Sequence, residues 1–240
     1  MPQIFGITRT ALPSRQTDGT QQQVRVNAYG EQIVVPIAGG FYPIACEGSY
    51  FKAINPTFNT AAAWNVAAAT AFSETQGSIT IRNSNSSGGK DIYLDYIRIT
   101  CNAAGTGNTN LSFVIQIDNA IRYSSGGAAA TIVNCNSGTA NSTGAVIHFG
   151  ALTLAAASAS RKLNPGAMII KAAAPAANDV YLFNFGAVDT VANAPGTTVA
   201  IPCGPVLLPA GANHTFILHL ISAGQSVAPT GFVEIGYIER

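Results

Sequence analysis

The sequence predicts an all-β fold, a jelly-roll-like antiparallel β-sandwich preceded by an extended N-terminal arm. Three observations lead there. Short runs of β-branched and aromatic residues recur along most of the 240 residues. Several of these runs alternate with period two, as half-buried strands do. The segments between them are rich in Gly, Asn and Ser, the residues that tight turns require. Two packed sheets in one domain suit such a pattern at this length.

Residues 1–22 are polar and irregular apart from Ile4, Phe5 and Ile7, and they read as an arm that also carries Arg9. Residues 23–240 read as a single sandwich domain. Its first runs are 23–27 (QVRVN), 49–54 (SYFKAI) and 78–83 (SITIRN). In the last of these, Ile79 and Ile81 share one face while Thr80 and Arg82 share the other. The run 91–101 changes phase midway: Ile92 and Leu94 are even-numbered, whereas Ile97, Ile99 and Cys101 are odd. A bulge near Asp95 and Tyr96 is expected to turn both sets inward. Leu111, Phe113, Ile115 and Ile117 make a longer stripe in 111–118. Further runs lie at 131–135, 145–149, 167–171, 180–185, 214–221 and 232–239, the last with Val233, Ile235 and Tyr237 on one face. Residues 84–89 (SNSSGG), 104–108 (AGTGN) and 124–127 (SSGG) read as turns. Two Ala-rich segments, 60–75 and 151–163, leave a short helix open, because Ala is the best helix former, although neither carries a clean 3.6-residue stripe.

Charge narrows the functional classes. There are 12 Lys plus Arg against 11 Asp plus Glu, and charged residues make up only 10% of the chain, where an ordinary domain carries about 25%. The basic residues are scattered, so the clustered cations that nucleic acid or a membrane surface would need are missing. Residues 123–160 and 190–233 lack Asp, Glu, Lys and Arg altogether, yet polar residues interrupt every apolar run well before the roughly 20 residues a membrane span needs. No basic head followed by an apolar core marks a secretory signal at the N-terminus. Cys46, Cys101, Cys135 and Cys203 show no C-x-x-C spacing and read as reduced, mostly buried small residues. A surface this poor in charge suits a protein that lives against neighbours.

Candidate chemistry is sparse. His214 and His219 lie five apart on one strand, hence on opposite faces, where they cannot share a metal ion. Each of them, like His148, reads as a histidine satisfied by a backbone group or by solvent. Asp91 and Asp95 form the one suggestive carboxylate pair, open to acid/base work or to hydrogen-bonding a nearby loop. No G-x-S-x-G elbow occurs, and Gly105-x-Gly107 lacks the setting of a nucleotide fingerprint. Trp64, near Phe58 and Phe72, either packs over an end of the sandwich or offers a platform for sugar stacking. No catalytic, cofactor-binding or metal-ligating residue is assigned, and no cofactor is expected.

Several segments carry a resemblance: INPTFNTAAA with ATAFSETQGSITIRN, then KDIYLDYIRIT and NAAGTGNT, then DVYLFNFG, LPAGANHTFILHL and the ending GFVEIGYIER. Together they resemble a family of virion proteins from tailed bacteriophages, similar to jelly-roll capsid cement or decoration proteins, over about residues 23–240. The resemblance implies a non-enzymatic protein on the capsid surface, assembled in the bacterial cytoplasm as a homotrimer that bridges neighbouring major capsid subunits. No functional residue is carried over by it. The expected assembly contacts are Ile4, Phe5, Ile7 and Arg9 in the arm, with Trp64, Tyr237 and Arg240 in the domain. The alternative is a tail-associated or surface module that binds bacterial glycans, with Trp64 or Tyr123 as stacking candidates. A weaker one is a glycan-cleaving enzyme using Asp91 and Asp95.

Overall fold

Alternation sends one set of side chains from each strand toward a shared interior, and the computed structural model of the protein has two sheets packed on that interior. The structure describes residues 42–55, 61–64, 72–106, 111–163, 168–171, 175–185, 198–211, 213–222 and 226–240. The expected arm, with Ile4, Phe5, Ile7 and Arg9, and the run at 23–27 lie outside the described residues. The strands all fall within the unit Pro43–Arg240.

A short helix, α1 (Tyr42–Cys46), ends at Gly48, whose positive φ of 69° lets the chain turn into β1 (Tyr50–Ile54). Then come β2 (Ala62–Ala63), β3 (Gln76–Asn83), β4 (Ile92–Ala103), β5 (Leu111–Asp118), β6 (Tyr123–Ala129), β7 (Thr131–Asn134) and β8 (Ala145–Leu154). The chain continues through β9 (Lys162–Leu163), β10 (Met168–Lys171), β11 (Val180–Asn184), β12 (Thr198–Pro202), β13 (Leu207–Leu208), β14 (Thr215–Ser222) and β15 (Thr230–Glu239). The first sheet runs β12–β11–β4–β15–β1–β7, with β13 on β4 and β2 on β15. The second runs β10–β5–β14–β3–β8–β6, with β9 on β5. Taken in the order β1, β3, β4, β5, β10, β11, β14, β15, the chain changes sheet at every step except from β5 to β10. The described pairs are antiparallel except β11 with β12, which run parallel from Val180↔Thr198 to Asn184↔Pro202. The expected antiparallel β-sandwich is what the structure shows, with that one parallel pair at the β12 end of the first sheet.

The interior is apolar from both sides. Phe51, Ile97, Ile99, Phe183, Ile235 and Tyr237 enter from the first sheet, and Ile79, Ile81, Phe113, Ile147, Phe149, Phe216 and Leu218 from the second. Edge-on ring pairs, Phe113 with Phe183 at 5.1 Å and Phe185 with Phe216 at 5.4 Å, join the two layers. The phase change in β4 is a bulge: β15 pairs Gly236 with Tyr96 and then Tyr237 with Leu94, so Asp95 has no opposite number. Ile92 and Leu94 before it, and Ile97, Ile99 and Cys101 after it, are all buried.

One sequence expectation is corrected, and one question the sequence left open is decided. Residues 124–127, read as a turn, belong to β6, which pairs with β8 through two register shifts. Gly126 and Gly127 take positive φ of 83° and 64° there, so they form a bulged strand rather than a reversal. A Cβ on Gly126 would meet the backbone oxygen of Ala151. Gly126→Ala is expected to destabilise the protein by more than about 1 kcal/mol, measured by urea denaturation; an unchanged midpoint would contradict the bulge. The Ala-rich segment 151–163 holds no helix. Its first four residues continue β8, alternating exposed Ala151 and Thr153 with buried Leu152 and Leu154. Among the four free cysteines, only Cys101 is buried; Cys46 and Cys135 are exposed and Cys203 is half-buried.

Candidate functional site

The two outer faces of the sandwich differ. Loops cover much of the second sheet's outer face. Leu152, Leu154 and Ile217 form a small apolar cluster there, with Tyr123 against it. Arg122, fully buried, anchors the covering segments: Nε donates to Ala155 O at 2.9 Å, one terminal nitrogen to Glu74 O at 2.6 Å, and the other to Asp118 Oδ2 at 2.8 Å. Asp118 also accepts from the Ser158 backbone N–H and hydroxyl. Burial alone would raise its pKa, but these bonds and the Arg122 charge hold it below the usual carboxylate value.

His219 lies on the same face, 2% exposed. Its Nδ1 sits 2.6 Å from Gln76 O, so Nδ1 carries the proton and Nε2 is left as an acceptor. The 3.0 Å contact of Nε2 with the Gln116 amide is then a hydrogen bond when Gln116 turns its NH₂ toward the ring. Burial pushes the imidazole down to about 4, keeping it neutral.

No element among the described residues covers the first sheet's outer face in the same way, and its centre holds a compact group of charges. Glu234 accepts from Lys52 Nζ at 2.9 Å and from the Tyr96 hydroxyl and the Arg98 guanidinium. Register explains the meeting: Arg98 lies opposite Glu234, and Gly236 separates Tyr96 from Lys52. Gly236 is required there, because a Cβ would fall on the Tyr96 ring and within 2.5 Å of the Tyr50 hydroxyl. Burial would raise the Glu234 pKa, yet its three donors hold it low, while burial and Glu234 push the Tyr96 phenol up to about 12. Beside this group, Tyr50 donates to Asp95 Oδ2 at 2.6 Å, and burial raises the Asp95 pKa. Apolar side chains flank the charges. Tyr93 and Leu207, directly paired, are 41% and 44% exposed, and Val133 is 46% exposed. Ile54, Leu182, Phe232 and Ile238 are partly exposed on the same face.

Several expected residues fall elsewhere. Trp64 is buried, edge-on to Tyr181 at 6.0 Å, and Tyr237 is fully buried, stacked on Phe51 at 5.6 Å with its hydroxyl 2.8 Å from Thr143 Oγ1. Both are used inside the fold and offer no surface to a neighbour. Arg240 is exposed, with its guanidinium 3.2 Å from Glu47 and its backbone paired with Asp91. Asp91 and Asp95 have separate partners: Asp91 accepts from the Ala210 N–H, and Asp95 from Tyr50. Tyr123 stacks flat on His148 at 3.6 Å, so one face of its ring is already occupied. No group of three or more His, Cys, Asp or Glu among the described residues is placed to hold a metal ion. No helix among them is long and apolar enough to cross a membrane.

Comparison with known proteins gives no match, whether with family models, curated proteins or solved structures.

Proposed function

We propose that this chain is a structural protein of a bacteriophage particle, a cement protein on the capsid surface that binds neighbouring major capsid subunits and associates as a homotrimer. The observation that carries this reading is the outer face of the first sheet, which no element among the described residues covers. Its two cations, Lys52 and Arg98, are both paired with Glu234, and apolar side chains surround them. Such a surface can be covered by a partner without leaving a buried ion unpaired, which is the main cost of hiding charge. At about 25 cal/mol per Å² of apolar area, modest contacts repeated over a shell add up, and binding only the assembled lattice favours that lattice by mass action. Trimerisation multiplies weak contacts through effective concentration.

The strand order supports the same reading. β11–β4–β15–β1 in one sheet and β10–β5–β14–β3 in the other are two four-stranded layers in the order that a jelly roll would take, an architecture common in viral shells. β6, β7 and β8 then make an excursion that adds β7 beyond β1, and β8 and β6 beyond β3.

The face can be tested directly. Tyr93→Asp combined with Leu207→Lys changes two exposed, directly paired side chains into an opposite-charge pair, so each is expected to alter folding stability by only about 0.5 kcal/mol. Attachment to purified particles, measured by co-sedimentation, is expected to be lost. Attachment at wild-type levels by the folded double variant would contradict the proposed face.

A further inference from the structure

A second feature stands apart from that face. On the outer side of the second sheet, Thr80, Arg82, Ile121, Tyr123, Val146, His148 and Thr215 line a cavity of about 80 Å³. It rests on two successive outward-facing rungs of the sheet. Thr215, Arg82 and Val146 make one rung, and Ile217, Thr80 and His148 the next. A space of this size, by the measure in which one water needs roughly 10–15 Å³, admits a small polar group.

Three properties of the lining specify what that group is. Arg82 is a half-buried guanidinium whose described side-chain bond is a long one, to Asn213 Oδ1 at 3.4 Å, and no acidic residue is among the lining residues. Thr80 is 1% exposed, and its hydroxyl has no hydrogen-bond partner among the described residues. A buried hydroxyl without a partner and a cation without a counter-charge are each costly, and one anion with two acceptor oxygens satisfies both. The third property is the wall: Tyr123 lies flat on His148, with Ile121, 49% exposed, beside it. A planar, partly apolar wall beside a guanidinium fork favours a planar carboxylate on a body with apolar faces.

We propose that this cavity binds a carboxylate carried on a small, partly apolar body such as an acidic sugar, with the carboxylate seated between the Arg82 guanidinium and the Thr80 hydroxyl and the body against Tyr123 and Ile121. The site is independent of the cement reading, since it lies on the other sheet.

The test is NMR titration of the full-length protein with sodium glucuronate, following the His148 ring signals. Burial and then the Arg82 charge hold the His148 pKa below its ordinary value, so an anion beside Arg82 is expected to raise it. Saturable binding is expected, with acetate binding more weakly and neutral glucose not at all. Arg82→Gln is expected to weaken glucuronate binding about tenfold or more, and Thr80→Val by several-fold. Arg82→Lys, which keeps the charge and loses the fork, is expected to fall between wild type and Arg82→Gln. Circular dichroism of each variant separates lost binding from lost folding. Shifts that never saturate, equal affinity in Arg82→Gln, or tighter binding of inorganic phosphate than of glucuronate would each overturn the proposal.

Discussion

Replacing Arg122 with alanine is expected to cost the fold about 3–5 kcal/mol, the range seen when one partner of a buried ion pair is removed. Both side chains of the Arg122–Asp118 pair are 0% exposed, so the carboxylate left behind would be buried without its counter-charge. The guanidinium also ties Ala155 and Glu74 by their carbonyls, and both tethers would go. The variant is therefore expected to be cut by protease in the segments around residues 72–75 and 155–161 under conditions where wild type survives. Asp118→Asn combined with Arg122→Met is expected to recover part of the loss, because it removes the stranded charge. Chemical denaturation measures the difference; a loss below about 1 kcal/mol for Arg122→Ala would show that the pair is not the anchor described. The pH dependence has a definite sign. The Asp118 pKa is depressed in the folded state, so its stabilisation is fully present above the ordinary carboxylate value of about 3.9 and drains away as pH falls through the folded value.

His219 is expected to make the protein acid-sensitive in a higher window. An unfolded histidine titrates near 6.5, whereas in the fold burial pushes this one down to about 4. Between those values the unfolded chain holds a proton that the native protein does not, so stability falls as pH drops from about 6.5 and the loss is complete near pH 4. The shift corresponds to roughly 3 kcal/mol at the low end. His148 acts in the same direction, while Asp95, with its raised pKa, acts in the opposite one. A site-specific NMR titration therefore isolates the His219 contribution. His219→Gln is expected to be less stable than wild type at pH 7 by about 1–3 kcal/mol, through lost bonds to Gln76 and Gln116. Its deficit is expected to shrink by pH 4.5. A His219 ring that titrates near 6.5 in the folded protein would contradict this.

The elements that could be read from the sequence were those whose signal is local. The phase slip between Leu94 and Ile97 located the Asp95 bulge, because a one-residue insertion is the way to turn both apolar sets inward. β6 was hidden because Ser124, Ser125, Gly126 and Gly127 have turn chemistry, and only pairing with β8 makes them a strand. The Ala-rich segment 151–163 suggested helix by composition, yet the alternation of Leu152 and Leu154 against Ala151 and Thr153 was the better guide. β12 is a parallel edge strand with little alternation, and β2, β9 and β13 have two residues each. The face built on Glu234 was out of reach, since Lys52 meets it across 182 positions of sequence. Trp64 and Tyr237 carried the aromatic signal of an interface, but the same rings serve the core, and only burial distinguishes the two uses. Arg122 gave no signal at all. A single arginine in a polar segment looks solvated until Asp118, Ala155 and Glu74 converge on it.

The most direct measurement is cryo-electron microscopy of the intact particles of a phage that encodes this protein, at a resolution that places side chains. The expected result is hundreds of copies on the shell, with Tyr93, Leu207 and Val133 of the first sheet pressed against the major capsid protein. A particle that lacks the chain, or carries a dozen or so copies confined to the tail with that face turned to solvent, would contradict the assignment.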